Sequence, residues 1–335
     1  MLQALVFTLA SADMTLDRSR FLHGLFFCCI TLMFWGMLPI ALKRSTGFID
    51  PVTLTWLRFA FAGIVMLMWQ ARQGKLSEFR NLSGTHSVRL IVAGTMLIVN
   101  YTFMVWGLSY LHPGAAQLSF QLAPLFLTLG GWLFLKERVF WQHWACFALM
   151  AVGMLLFFHP ALESSAGMTG LGFLIIQVSA LGWTAYALLQ KSLFRVLSPS
   201  NILLCIYLYA LVVMLPFAHP ASLLTLDTQD RWVALFCCVN TLVAYGSFAQ
   251  AMRYWQTVQV SACIAMTPVV TFILTEVCVG YGFFSDVIFS AEADQLSLLG
   301  MGLVVLAAIS VQLLSPALEK RRIKALHALV PLTDR

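Results

Sequence analysis

Two formal charges lie well inside apolar stretches of the sequence, Arg58 and Glu276. A charge in hydrocarbon is costly unless it is paired or hydrated, so such a group is a functional candidate by default. Both residues lie toward the same end of their stretches, which predicts that they pair directly or hold a zwitterionic solute in a shared vestibule. A static salt bridge, or side chains that reach the membrane surface, is the structural alternative. Proton coupling through Glu276 is a further hypothesis.

Polar and aromatic side chains near the middle of other apolar stretches could line a solute cavity. An amide in hydrocarbon needs a partner, and Gln117 and Gln121 share one helical face, so that face should point into the protein. Trp35 and Trp183 could supply aromatic faces, which suit planar or cationic solutes. Hydrogen bonding or packing between helices is the alternative for each residue. The cavity candidates are Trp35, Asn100, Tyr101, Gln117, Gln121, Trp183, Tyr186, Asn240, Tyr245 and Gln250.

Catalytic and metal-binding patterns do not accompany these residues. The sequence has no H-E-x-x-H, no G-x-S-x-G and no glycine-rich phosphate loop ending in Lys-Ser or Lys-Thr. Its seven histidines are dispersed, and its eight cysteines lie in apolar stretches without C-x-x-C spacing. We therefore predict that the protein is not an enzyme, holds no metal or cofactor, and uses its cysteines as small apolar side chains.

The elements that must position these side chains follow from composition. Of 335 residues, 60% are apolar and only 10% are charged, whereas soluble domains are about 25% charged. Because about 20 residues cross a bilayer as a helix, the apolar residues suffice for about ten spans. We predict an all-α polytopic membrane protein with ten transmembrane helices. The segments are 21–42, 53–70, 90–108, 114–135, 140–158, 169–190, 200–217, 232–250, 259–280 and 295–315.

The net charge of +6 arises from Lys and Arg residues that are scattered in short loops. This distribution argues against nucleic-acid binding, which needs a basic patch. Placing the N-terminus in the cytoplasm puts sixteen of the twenty Lys and Arg residues on the cytoplasmic side. Since cytoplasmic loops are rich in these residues, we predict that both termini are cytoplasmic. Residues 1–20 are then an extension without the basic start of a signal peptide, and residues 316–335 are a basic tail.

The two halves of the chain match each other at repeated offsets. At shifts of 148 and 144 positions, the matched pairs are Gly24 with Gly172, Trp35 with Trp183, Lys43 with Lys191, Pro51 with Pro199, Tyr101 with Tyr245, Tyr110 with Tyr254 and Pro124 with Pro268. We predict five-helix repeats at 21–158 and 169–315. An odd number of spans inverts the second repeat, and inverted repeats in secondary carriers hold the substrate site between the halves.

Proline and glycine positions add two further predictions. Pro39, Pro124 and Pro268 fall within predicted helices, where each removes a backbone hydrogen bond and favours a break or kink. Gly300 and Gly302 allow close approach of the last helix, either within the fold or against a second copy of the chain.

With motifs in both of its halves, the sequence resembles the drug/metabolite transporter superfamily, EamA type. The first half carries Asp50-Pro51, Trp56-Leu57-Arg58-Phe59, Ala115-Ala116, Leu122-Ala123-Pro124 and Phe134-Leu135-Lys136-Glu137-Arg138. The second half carries Ala180-Leu181-Gly182-Trp183-Thr184-Ala185-Tyr186 and Met266-Thr267-Pro268-Val269. Together these motifs span about residues 21–315. One departure stands out: Tyr281 occupies the place equivalent to Glu137, where the family often has an acid.

The resemblance implies a secondary transporter in the bacterial inner membrane that exports amino acids or related metabolites. Its partners would be a small-molecule substrate and the lipid bilayer, and two inverted halves would work by alternating access. Coupling to protons or another ion, and pairing into a homodimer, stay open. The alternative function is a non-transporting membrane sensor or scaffold on the same fold. Solute flux in liposomes that hold only the purified protein separates the two.

Overall fold

The computed structural model describes residues 2–45, 47–108, 110, 119–157, 159, 170–283 and 294–329. In these ranges the chain forms α-helices joined by turns and short 3-10 helices, and no strand is found among them. The helices are α1 Leu2–Ser45, α2 Pro51–Arg72, α3 Gly84–Leu108, α4 Ala123–Phe134, α5 Trp141–Phe157, α6 Gly170–Ser192, α7 Pro199–Met214, α8 Thr228–Tyr254, α9 Thr257–Ile264, α10 Thr267–Gly280 and α11 Gln295–Leu329. The 3-10 helices are Lys75–Asn81, Leu215–Phe217 and Pro220–Thr225.

Eight stretches of helix in these ranges are long and apolar enough to cross a bilayer. They are Arg18–Leu42, Pro51–Arg72, Gly84–Met104, Gly170–Ser192, Pro199–Phe217, Thr228–Tyr254, Thr257–Gly280 and Gln295–Lys320. Two shorter apolar helices, α4 and α5, accompany them. The all-α membrane class is therefore confirmed. The number of ten spans stays a prediction, since most of the 114–122 part of the fourth segment lies outside the described residues.

Local sequence explains where several helices start. Asp50 caps α2, because its side chain accepts a hydrogen bond from the Thr53 N–H at 2.9 Å and Pro51 occupies the first turn. Asp227 caps α8 in the same way, accepting from the Asp230 N–H at 2.8 Å. These caps satisfy N–H groups that have no partner within the helix.

The three prolines take two kinds of position: one lies within a helix and two follow helix breaks. Pro39 lies inside α1, as expected. Pro124 and Pro268, however, lie in the first turns of α4 and α10, where a missing N–H breaks no helical hydrogen bond. Each follows a two-residue turn, which in the second half interrupts the span Thr257–Gly280 between α9 and α10.

The helices pack mainly across the two halves of the chain. The prominent pairs are α1 with α8, α3 with α6, α5 with α11 and α2 with α7. The largest buried apolar cluster accordingly mixes both halves, with Phe59 and Leu97 packed in the same core as Ile202 and Phe248. In the described ranges, the three large buried apolar clusters each contain residues of both halves.

Close packing of α5 against α11 depends on glycine. A Cβ atom at Gly300 would lie 2.5 Å from the Gly153 carbonyl oxygen and 2.5 Å from the Phe157 nitrogen. Both are backbone atoms, so they cannot rotate away. At Gly302, two residues further along α11, an added Cβ would have no atom within 4 Å.

We expect Gly300→Ala to lower the free energy of unfolding by about 1–3 kcal/mol, the usual effect of overpacking. Gly302→Ala is the matched control and should be neutral or stabilising by up to about 1 kcal/mol, because alanine favours helix. Unfolding of the detergent-solubilised protein measures both. Equal effects of the two substitutions would contradict the assigned contact.

A hydrogen-bonded cluster attaches the 3-10 helix Lys75–Asn81 to the start of α7. The Ser198 N–H and the Asn201 Nδ2 each donate to Glu78 Oε2 at 2.8 Å. Asn201 Nδ2 also donates to the Lys75 carbonyl oxygen, and Gln70 Nε2 donates to Asn201 Oδ1, both at 2.9 Å. The Glu78 carboxylate therefore lies at a helix N-terminus, where a negative charge is favourable.

Acid should weaken this attachment. Partial burial by itself raises the pKa of the Glu78 carboxyl, but hydrogen bonds from Ser198 and Asn201 outweigh it and lower the pKa below the ordinary value. The stabilisation is therefore complete above the ordinary glutamate pKa, about 4.3, and is lost as the pH falls through the lowered value.

We expect the thermal unfolding temperature of the wild-type protein in detergent to fall more steeply between about pH 5 and pH 3 than that of Glu78→Gln. The variant lacks the titrating group, so it reports all other acid effects. Parallel pH profiles for the two proteins would show that Glu78 contributes nothing to the acid response.

Candidate functional site

Arg58 is buried on α2, with 2% of its surface exposed. Its Nε donates to Thr241 Oγ1 at 2.7 Å, and its Nη2 donates to the Tyr101 hydroxyl at 3.2 Å. The guanidinium carbon also lies 4.8 Å from the centre of the Tyr101 ring. Among the residues that the structure describes, no carboxylate forms an ion pair with Arg58. The site thus holds a buried positive charge whose protein partners are neutral.

The expected partnership between Arg58 and Glu276 is not formed. Arg58 hydrogen-bonds to α3 and α8, whereas Glu276 is half-buried on α10, a helix that packs mainly against α1. The burial of Arg58 also excludes the alternative in which its side chain reaches the membrane surface. The two charges therefore contact different helices, and a shared vestibule between them stays a prediction.

Six aromatic side chains from four helices pack together beside Arg58. Neighbouring ring centres lie 5.3–6.4 Å apart, within the range of favourable aromatic contact. Trp183, Tyr186 and Tyr245 are at most 5% exposed, so the rings are closed over one another in this structure. We call this set the aromatic cluster: Trp35, Tyr101, Trp183, Tyr186, Tyr245 and Phe248.

The cluster joins five of the predicted cavity residues and adds one that the sequence analysis missed. Trp35 and Trp183, matched positions of the two halves, contact each other at 5.8 Å between ring centres. Phe248 was missed, and so was Thr241. The signal that could have found them is their spacing, because Thr241, Tyr245 and Phe248 recur at helical intervals and share one face of α8.

Two of the predicted amides link helices instead of joining the cluster. Asn100 Nδ2 donates to the Ser179 carbonyl at 3.1 Å and to its hydroxyl at 2.9 Å, and that hydroxyl donates to the Asn100 carbonyl at 2.8 Å. Asn240 Nδ2 donates to the Phe34 carbonyl. These bonds connect α3 with α6 and α8 with α1, which fits the alternative of helix packing.

No hydrogen bond joins the other described amides, Gln121 and Gln250, to the aromatic cluster within the described residues. Gln117 lies outside the described residues. Gln121 is half-buried in the turn before α4, and its buried Oε1 accepts no hydrogen bond from the described residues. Gln250 is half-buried on α8, two residues beyond Phe248.

A second polar assembly lies where α4, α6 and α9 meet. Lys191 Nζ is 2.7 Å from Glu137 Oε1 and donates to the Trp255 carbonyl at 2.7 Å. Glu137 Oε2 accepts from the Thr257 N–H at 2.7 Å and from its hydroxyl at 2.6 Å. Glu137 therefore neutralises Lys191 and also caps α9. We call these four residues, Glu137, Lys191, Trp255 and Thr257, the Glu137 junction.

The junction requires glycine nearby and borders an open cavity. A Cβ atom at Gly131 would lie 1.9 Å from Thr257 Oγ1, so only glycine allows this approach of α4 to α9. The cavity has a volume of about 380 Å³ and is lined by Trp132, Lys136, Glu137, Arg138, Val139 and Phe140.

No metal centre is evident in the described part of the chain. No group of three or more His, Cys, Asp or Glu side chains in these ranges is placed to hold a metal ion. The chemistry visible at Arg58 is hydrogen bonding by a fixed cation and contact with aromatic rings.

Helices that are long and apolar enough to cross a bilayer, repeated along the chain, define a multi-pass membrane protein. Both halves of the chain, residues 22–159 and 170–313, match the EamA-like transporter family. The chain belongs to this family, as its motifs predicted.

Two relatives with transporter names match most of the chain, and a third matches about half of it. An uncharacterized transporter of Haemophilus influenzae is 31% identical over 292 residues, which is 86% of this chain and 94% of the relative. The uncharacterized inner membrane transporter YhbE of Escherichia coli K12 is 31% identical over 277 residues, 81% of this chain and 83% of the relative. A riboflavin transporter of Vibrio cholerae is 27% identical over 169 residues, 49% of this chain and 52% of the relative.

A solved crystal structure has the same fold. It is 19% identical in sequence, has a TM-score of 0.68 and covers 90% of this chain and 99% of its own. At this identity the likeness concerns the fold alone. The transporter class thus comes from the family and the named relatives.

Proposed function

We propose that this protein is a secondary transporter that exports small organic solutes, such as amino acids or related metabolites, across the bacterial inner membrane. Arg58 and the aromatic cluster form its substrate-binding centre. The observation that carries this assignment is the buried Arg58 guanidinium, which has no carboxylate partner among the described residues. It contacts Tyr101 of the first half and Thr241 of the second. A buried charge without a counterion is costly in a purely structural role, but it is useful for binding a solute.

Alternating access by two inverted five-helix halves is the proposed mechanism, and the helix pairing supports it. Exchange of the first five spans with the second five turns the pair α1–α8 into the pair α6–α3, and both pairs are present. The amide bonds follow the same exchange, since Asn100 links α3 to α6 and Asn240 links α8 to α1. Reciprocal pairing of this kind is expected of inverted repeats.

The closed aromatic cluster fits an occluded stage of such a cycle. In the orientation predicted from Lys and Arg, the Glu137 junction lies at the cytoplasmic end and holds it shut. Opening toward the cytoplasm would then require separation of Glu137 from Lys191 and Thr257. Export, and coupling to protons through Glu276, are parts of the proposal that rest on family resemblance and on the position of Glu276 within a span.

Efflux from liposomes tests the proposal. Purified protein is reconstituted into vesicles loaded with a cell metabolite extract, and released compounds are identified by mass spectrometry. We expect at least one metabolite to leave faster than from protein-free vesicles. Arg58→Met should abolish this difference. Arg195→Met should retain it, because Arg195 is an exposed residue in the turn after α6.

A folded protein that releases no compound above background would support the alternative, a sensor or scaffold on this fold. The riboflavin transporter among the relatives makes a flat aromatic solute a reasonable addition to the vesicle contents. Direction is tested separately, by comparing metabolites in the medium and in the cytosol of cells with and without the protein.

A further inference from the structure

We propose that the substrate is a small organic anion with a flat apolar body. Its anionic group would bind the Arg58 guanidinium, and its body would lie among the rings of the aromatic cluster. This inference rests on the proposed transport function and specifies the chemistry of the same centre.

The donors of Arg58 define the anionic end. A guanidinium carries five N–H groups in a rigid planar fork. Thr241 and Tyr101 take two of them, which leaves three without an acceptor among the described residues. A carboxylate or phosphonate presents two oxygens at the spacing of this fork. Such binding would be strengthened because Arg58 is buried, where the local dielectric constant is low.

The neutral partners of Arg58 leave its charge available. Tyr101 and Thr241 accept hydrogen bonds as hydroxyl groups, and Thr241 in turn donates to the Cys237 carbonyl at 3.0 Å. Neither partner cancels the positive charge. A ligand anion would therefore supply the counterion that the described protein groups do not provide.

The aromatic cluster defines the body of the ligand. Trp35 meets Trp183 and Tyr245 edge to face, at 70° and 72° between ring planes, so separated rings would present both faces and edges to a guest. Such surfaces suit a planar apolar group. Tryptophan and tyrosine faces also attract cations, so the sequence alone leaves a cationic ligand as an alternative.

The position of Arg58 decides against a cation. Its guanidinium carbon lies 4.8 Å from the Tyr101 ring centre, and that ring lies 6.0 Å from the Tyr245 ring centre. The protein's own cation thus occupies the aromatic surface nearest the polar groups, and a second positive charge there would be repelled in a medium of low dielectric constant.

Five probes that share or lack the two features test this inference. Phenylacetate carries a ring and a carboxylate, phenylacetamide is its neutral isostere, benzylammonium is a ring with a positive charge, and acetate has no ring. Benzylphosphonate distinguishes a phosphonate from a carboxylate as the preferred anion. Binding of each to the purified full-length protein in detergent is measured by titration calorimetry.

We expect phenylacetate or benzylphosphonate to bind roughly 10- to 100-fold more tightly than phenylacetamide, as hydrogen bonds to a charged group predict. Acetate and benzylammonium should bind more weakly than phenylacetate. Arg58→Met should remove the preference for the anion over the amide. Trp35→Ala should weaken phenylacetate binding but keep that preference, and Arg195→Met should change nothing.

Three results would overturn the inference: equal or tighter binding of phenylacetamide or benzylammonium by the wild-type protein, an unchanged anion preference in Arg58→Met, or no binding of either aromatic anion to protein that is active in metabolite efflux. Arg58-dependent binding of an aromatic anion by protein that releases no metabolite would support this inference and would instead contradict the proposed transport. The two proposals can thus fail separately.

Discussion

Replacement of Arg58 by methionine is expected to abolish solute transport while the protein remains folded. Methionine keeps a long unbranched side chain but has no charge and no donor. A buried charge carries a desolvation cost that an apolar side chain does not have. Thr241 keeps a partner, because its hydroxyl donates to the Cys237 carbonyl. The unfolding temperature should therefore be unchanged or higher.

The loss of transport should exceed about 100-fold, since two charge-assisted hydrogen bonds to a substrate are worth about 3 kcal/mol or more together. Arg58→Lys should retain part of the activity, because the ammonium keeps the charge but lacks the planar fork. Initial efflux rates from liposomes, together with unfolding temperatures in detergent, measure both effects. Arg195→Met is the matched control on an exposed arginine.

A different pair of results would assign Arg58 to structure alone. In that case Arg58→Met would unfold at a clearly lower temperature, and its folded fraction would transport at the wild-type rate. The combination of intact folding and lost transport is specific to a binding role, because a purely structural arginine cannot produce it.

Removal of the Glu137 side chain should have the largest effect on stability. Glu137 and Lys191 are only 15% and 14% exposed, and breaking a buried ion pair by removing one partner costs about 3–5 kcal/mol. Glu137→Ala also deprives the Thr257 N–H and hydroxyl of their acceptor. We expect the free energy of unfolding to fall by about this amount, as measured by denaturant unfolding in micelles.

A double-mutant cycle separates the ion pair from the helix cap. Lys191→Met alone leaves Glu137 to cap α9, so it should be less harmful than Glu137→Ala. The double variant should be more stable than the sum of the two single effects predicts, by about 1 kcal/mol or more. Strict additivity would show that the two charges do not interact.

The class of fold was predictable from the sequence because it depends on the average composition of long segments and not on single residues. Membrane spans depend on average apolarity over about 20 residues, and single exceptions do not obscure it. The helix ends were less predictable. α11 runs to Leu329 through Glu319 and Lys320, since charged residues are good helix formers once the chain leaves the apolar region.

The aromatic members of the candidate site were found from sequence, and their partners were not. Trp35, Trp183 and Tyr245 are large and recur at matched positions, so they were recognisable. Which helix each side chain faces depends on the rotation of the helix about its axis, and packing sets that rotation. Arg58 and Glu276 were therefore paired by depth alone, whereas the structure directs Arg58 to Thr241.

The partners of polar side chains were also not predictable from the sequence. Glu137 belonged to a recognisable motif, but nothing in the motif identified Thr257, 120 positions later, as the residue it binds. Asn100 and Asn240 were assigned to a cavity because an amide in an apolar segment must be satisfied. A sequence does not reveal whether that partner is a solute or, as found, the backbone of the adjacent helix.

Packing of each half against the other, rather than against itself, constrains how this chain can be recombined. A chimera that joins residues 1–159 of this protein to the C-terminal half of a family member would replace one side of nearly every major helix interface at once. Such hybrids should assemble only when both sides of those interfaces come from the same parent. Co-expression of the two halves as separate polypeptides, by contrast, keeps every native interface and should yield an associated pair.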